Sequence, residues 1–99
     1  LEKGQDAMIK VNEYFEGKVK SLGFKSGGQE YTAGVILPGS YEFGTEKEEH
    51  LTLSLGRVSI RLPDQEWQTV TAGELIIIPA GITFDIRTDD TAAYICLYK

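Results

Sequence analysis

An all-β domain, built as a sandwich or a barrel, is the fold this sequence predicts. Apolar residues recur at every second position in one short segment after another, glycine and proline turn signals separate those segments at close spacing, and no helix of useful length is apparent. Ninety-nine residues make one domain, large enough for a core but small enough that a partner copy would help to cover its remaining apolar surface.

Leu1 to Ala7 is polar and patternless and precedes Met8, the only methionine, so residues 1–7 read as a fusion scar or disordered segment and residues 8–99 as the domain. Gly17 and Gly23 then bracket a short strand that opens with the aromatic pair Tyr14–Phe15. After the break Ser26-Gly27-Gly28, a strand from Glu30 to Leu37 ends at Pro38-Gly39, where proline presets one turn angle and glycine supplies the positive one. Tyr41, Phe43 and Thr45 alternate with Glu42 and Gly44, so those three share a face. The most regular alternation follows, with Glu49, Leu51, Leu53 and Leu55 on one side and His50, Thr52 and Ser54 on the other.

Gly56 ends that strand, Val58, Ile60 and Leu62 mark the next, and Pro63-Asp64 turns the chain toward Trp67 and Val70. Gly73 to Arg87 reads as a hairpin, because the apolar run Leu75 to Ile78 is broken by Pro79-Ala80-Gly81 and resumes at Ile82, Phe84 and Ile86. The final strand, Ala92 to Tyr98, is apolar on both faces, which suits burial by a second sheet or a partner chain.

The formal charge of -5 disfavours a nucleic acid or an anionic membrane as the main partner, and a small ligand fits better. No segment is long and apolar enough to span a bilayer, and the start lacks the pattern of a secretory signal. The single cysteine, Cys96, lies in an apolar strand and reads as a buried reduced thiol, so a cytoplasmic location is expected.

The predicted interior holds Tyr41, Phe43, Thr45, Glu49, Ile82, Phe84 and Ile86. Its one carboxylate, with no inward imidazole, is a poor transition-metal set. His50 and Cys96 offer no nucleophile with a base, and no glycine-rich loop leads into a helix to cradle phosphates. Flat rings beside a carboxylate and hydroxyls suit a planar ligand with polar edges, although the same aromatic face also reads as plain core. Glu49 among leucines needs a partner, and Lys18, Lys20 or a tyrosine hydroxyl would make it a framework residue. Lys18 and Lys20, alternating around Val19, equally suit an exposed edge that deters aggregation.

Two spacings add a resemblance. Glu49 followed after six residues by Gly56, and Gly73 followed after five by Pro79 and then Gly81, resemble the two motifs of the cupin superfamily, implying a cupin-like barrel of jelly-roll type. Phe84 stands where a metal-binding histidine is usual, and Phe43 and Thr45 stand where two more would precede Glu49. More narrowly, Asn12-Glu13-Tyr14-Phe15, Gly17-Lys18-Val19-Lys20-Ser21, Gly23-Phe24, Tyr41-x-Phe43-x-Thr45, Glu48-Glu49, Leu62-Pro63-Asp64, Trp67 and Tyr94-x-Cys96-x-Tyr98 resemble the pyrimidine/purine nucleoside phosphorylase family from about Met8 to the end.

That resemblance implies a homodimeric enzyme that splits purine and pyrimidine nucleosides into free base and ribose 1-phosphate. It would act with broad specificity, with inorganic phosphate as co-substrate, and with no metal or other cofactor. Under it, Lys18, Lys20 and Ser21 are expected to hold phosphate, and Glu49 and Thr45 to serve catalysis. Tyr41, Phe43, Phe84, Tyr14 and Phe15 are expected to stack on the base or line its pocket. The rival readings are a non-catalytic cupin that binds a sugar or nucleoside-like metabolite, a metal-dependent cupin oxygenase, and a dimerisation module.

Overall fold

The structure is a computed structural model and describes residues 8–99; the reading of residues 1–7 lies outside the described residues. Ten strands form two antiparallel sheets that face each other. The larger sheet contains, in spatial order, β1 (Lys10–Tyr14), β2 (Val19–Ser26), β3 (Gln29–Ile36), β10 (Ala92–Tyr98), β5 (Glu49–Leu55) and β8 (Leu75–Ile78). The smaller contains β4 (Gly39–Gly44), β9 (Thr83–Thr88), β6 (Arg57–Arg61) and β7 (Gln68–Thr71). The all-β expectation holds, with one single-turn 3-10 element, Phe15–Gly17.

Alternation decides which face is buried. Val19, Ile36, Leu51, Leu53 and Ile78 of the larger sheet meet Val58, Ile60, Phe84 and Ile86 of the smaller in one core. The final strand is central, flanked by β3 and β5, which explains its apolar inner face. On its outer face Ile95 remains exposed, between the half-buried Ala93 and Leu97.

Two expected local structures differ. Leu75 to Arg87 is no hairpin: β8 pairs with β5 in the larger sheet, whereas β9 pairs with β4 and β6 in the smaller, so Pro79-Ala80-Gly81 is a corner between sheets. The Tyr14–Phe15 pair does not open a strand. Tyr14 closes β1, and Phe15, Glu16 and Gly17 turn with φ of 51°, 57° and 87° before β2, which runs through Gly23. The left-handed region costs an ordinary residue roughly 1 kcal/mol or more, so packing must hold Phe15 and Glu16 there.

Candidate active site

Between the sheets lies an open cavity of about 810 Å³. Its larger-sheet wall is a lattice of inward side chains set by strand register. One cross-strand row runs Asn12, Ser21, Gly34, Tyr94 and Leu53. The next runs Lys10, Gly23, Thr32, Cys96 and Leu51, and a third sets Tyr98 between Glu30 and Glu49. The wall therefore changes from apolar at Val19 and Ile36 to hydroxyl-bearing and charged toward Tyr98 and Glu49.

Its polar groups are tied together. Asn12 Nδ2 donates to Ser21 Oγ at 3.2 Å, and the Tyr94 hydroxyl lies beside Ser21. Tyr98 Oη and Thr32 Oγ1 lie 2.9 Å apart, and Cys96 Sγ donates to Glu49 Oε1 at 3.7 Å. Burial lifts the Tyr94 phenol to about 12 and pushes Tyr98 up as well. Burial, helped by the nearby Glu49 charge, raises the Cys96 thiol to about 12, so it stays protonated and unreactive. Desolvation raises the Glu49 carboxyl above its ordinary value, opposed by the thiol hydrogen bond.

The opposite wall is aromatic. Phe43 and Phe84, register partners on β4 and β9, have ring centroids 6.1 Å apart. Tyr14 meets Phe43 edge-on at 5.6 Å, and the left-handed turn carries Phe15 to 5.4 Å from Phe43 and 5.0 Å from Tyr41. These contacts offset the strain of the turn. Lys10 and Lys47 border the cavity; Lys47 Nζ pairs with Glu30 Oε1 at 2.6 Å.

Glu49, Phe43 and Phe84 of the predicted interior line one cavity with Tyr14, Phe15 and Ser21, which the resemblance had added. The other expected site residues sit elsewhere. Thr45 is buried, and its hydroxyl donates to the Pro79 carbonyl at 2.7 Å and accepts from the Ile82 N–H at 3.1 Å, pinning the inter-sheet corner. Tyr41 donates to the Leu37 carbonyl at 2.8 Å and packs behind the aromatic wall. Lys20 points outward to Glu13, 3.6 Å away, and neither it nor the exposed Lys18 lines the cavity, because Val19 and Ser21 take the inward positions. Sequence reasoning did not assign Lys10, Asn12, Thr32, Lys47, Tyr94 or Tyr98 to the site. The period-two Tyr94-x-Cys96-x-Tyr98 was the available signal.

The donors do not suit a transition metal. Among the described residues no three His, Cys, Asp or Glu side chains converge, and the one histidine, His50, lies on the outer side of β5 with Nε2 2.6 Å from Glu48 Oε2.

The family model for pyrimidine/purine nucleoside phosphorylase matches residues 9–98. The chain belongs to this family. Among its relatives, a pyrimidine/purine nucleoside phosphorylase of Marinobacter nauticus is 46% identical, covering 92% of this chain and 99% of its own. One from Hahella chejuensis is 44% identical with the same coverage. The crystal structure of a Vibrio parahaemolyticus protein of unknown function is similar at a TM-score of 0.91 and 39% identity, over 94% of this chain and 100% of that one. The fold of two facing antiparallel sheets seen here is therefore shared with that solved structure.

Proposed function

We propose that this member of the nucleoside phosphorylase family splits purine and pyrimidine nucleosides with inorganic phosphate, giving free base and ribose 1-phosphate, without a metal and with broad specificity. The observation that carries the reading is a single cavity with an aromatic wall facing a hydroxyl-and-carboxylate wall and with lysines at its border. Rings accept any planar base, because stacking does not read base edges as hydrogen bonds do. Sugar hydroxyls need the polar wall.

Phosphorolysis also needs an anion site and stabilisation of a cation-like sugar as the base leaves. Lys10 and Lys47 suit the phosphate, since they are the lysines that border the cavity. Glu49 suits the sugar, either holding its hydroxyls or offsetting the developing charge. The proposal includes a homodimer and a cytoplasmic location. Among the described residues no helix is long and apolar enough to cross a membrane.

The test is release of free base from uridine, cytidine, adenosine and guanosine, with and without phosphate, by metal-stripped protein. Phosphate-dependent release from both base classes is expected. In Lys47→Met the phosphate concentration for half-maximal rate should rise about tenfold, the scale of one lost charge-assisted hydrogen bond, while Lys20→Met leaves it unchanged. Folded wild-type protein that releases no base would turn the reading to a binding module.

A further inference from the structure

Tyr94 owes its position to an absence. A Cβ placed on Gly34 would lie 2.3 Å from Tyr94 Cζ and 2.5 Å from its hydroxyl oxygen, so the phenol rests directly on the glycine backbone. Gly34 is the register partner of both Tyr94 and Ser21, and the ring therefore crosses β3 to meet Ser21 on β2. Any side chain at position 34 would lift it off this track. Glycine in the middle of a strand normally weakens it, and such a residue often marks a close approach of this kind.

The hydrogen-bond polarity has a chemical consequence. Asn12 Nδ2 is a donor only, so Ser21 Oγ accepts from it and keeps its own proton to donate beside the Tyr94 hydroxyl. The Tyr94 phenol lines the cavity, where its proton can be donated to a ligand. Asn12 and Ser21 thus flank a neutral Tyr94 hydroxyl that faces the cavity. Since burial lifts the phenol to about 12, that proton is retained at any physiological pH.

Resting on the phosphorolysis reading, a substrate has a defined order along the cavity. The anomeric carbon lies between the leaving base and the attacking phosphate. With the base against Tyr14, Phe15 and Phe43 and the phosphate at Lys10 and Lys47, the sugar falls against the middle of the larger-sheet wall, where Tyr94 stands. We propose that Tyr94 donates a hydrogen bond to a ribose hydroxyl of the nucleoside, and that Gly34 is the positioning residue that seats it.

The experiment compares kcat/KM for uridine, 2′-deoxyuridine and 3′-deoxyuridine in wild type, Tyr94→Phe and Gly34→Ala. Tyr94→Phe keeps the ring and removes only the hydroxyl. It should lower the uridine value about tenfold, the scale of one lost hydrogen bond, while changing the value for one of the deoxy substrates by no more than about twofold, since the partner oxygen is already missing there. Gly34→Ala should lower the uridine value at least as much, with the same substrate spared. Equal losses on all three substrates in Tyr94→Phe, or no loss, would overturn the assignment of Tyr94, and wild-type behaviour of Gly34→Ala would overturn the positioning role. Tyr94→Phe decides the first point even if Gly34→Ala does not fold. Wild-type protein that releases no uracil would instead remove the phosphorolysis reading and this inference with it, a failure distinct from a change in substrate pattern.

Discussion

Glu49 is the residue whose environment is hardest to explain by packing alone. Its neighbours on the inner face of β5 are Leu51 and Leu53, and the hydrogen bond it accepts comes from a thiol, a weak donor at 3.7 Å. A carboxylate so poorly served is costly to ionise, which is why its pKa is raised. The folded protein then holds this proton more tightly than the unfolded chain does. The stability it contributes is fully present below the ordinary carboxylate value of about 4.3 and is lost as pH rises through the raised folded value. Glu49→Gln removes that penalty. Its melting temperature should exceed that of wild type at pH 8, by roughly 4–8 °C for each kcal/mol relieved, and the advantage should shrink as pH falls toward 4. Turnover should be lost in the same variant. Thermal melts at both pH values together with base-release assays check this. An advantage of equal size at pH 4 and pH 8 would mean that burial of the charge is not its source.

The Pro79-Ala80-Gly81 corner illustrates what can be read at the level of an element. Its turn signal was legible because proline and glycine break an apolar alternation, but which sheets it joins was not, since period-two patterning is the same for a hairpin and for a crossing between sheets. What holds the crossing is a distant residue, Thr45, whose backbone N–H donates to the Ile82 carbonyl at 2.8 Å and whose carbonyl accepts from Gly81 N–H at 3.0 Å. Its side chain adds the two further bonds to Pro79 and Ile82. An inward alternating position thus made Thr45 look like a site residue, and only three-dimensional partners reveal it as a pin. The same limit applies to the lysines. Charge type and the resemblance suggested Lys18 and Lys20, but strand parity turns Lys20 outward, while Lys10 shares the inward parity of Asn12 and Tyr14 on a strand too polar to read from the sequence and Lys47 reaches the cavity from a loop. Phe43, Phe84 and Glu49 were legible because each lies in a clean alternating run. Thr45→Val keeps the shape and removes the side-chain bonds, so it should destabilise the fold by about 1–3 kcal/mol while turnover per folded molecule stays within about twofold. Denaturant unfolding and activity on the same samples test it; lost turnover at unchanged stability would return Thr45 to the catalytic set.

At the scale of the whole molecule, the larger sheet has two unlike faces. The inner face builds the site, and the outer face leaves an apolar surface open: one continuous cross-strand row joins Val11, Leu22, Ala33, Ile95, Thr52 and Leu75 across all six strands. At about 4.8 Å between strands that row is about 25 Å wide. Val35 and Leu55 belong to the adjacent row, and Ile77 to the other side, all exposed. Isolated exposed apolar residues need no explanation, but a contiguous band across a whole sheet marks an interaction surface. A second copy of this chain suits it. A two-fold axis can bring the same face of two copies together, and burying apolar rows gives two acidic chains a reason to associate despite their mutual repulsion. Ile95, on the central strand and 41% exposed, lies near the middle of this face and away from the cavity. Placing a charge there would leave it buried and unpaired twice in a symmetric dimer, once from each copy. Wild-type protein should therefore elute with the mass of a dimer in light scattering coupled to size exclusion, and Ile95→Lys should shift to the mass of a monomer that keeps its β-sheet circular dichroism. A dimer undisturbed by Ile95→Lys would place the interface elsewhere, and a wild-type monomer would leave this face without the partner assigned to it.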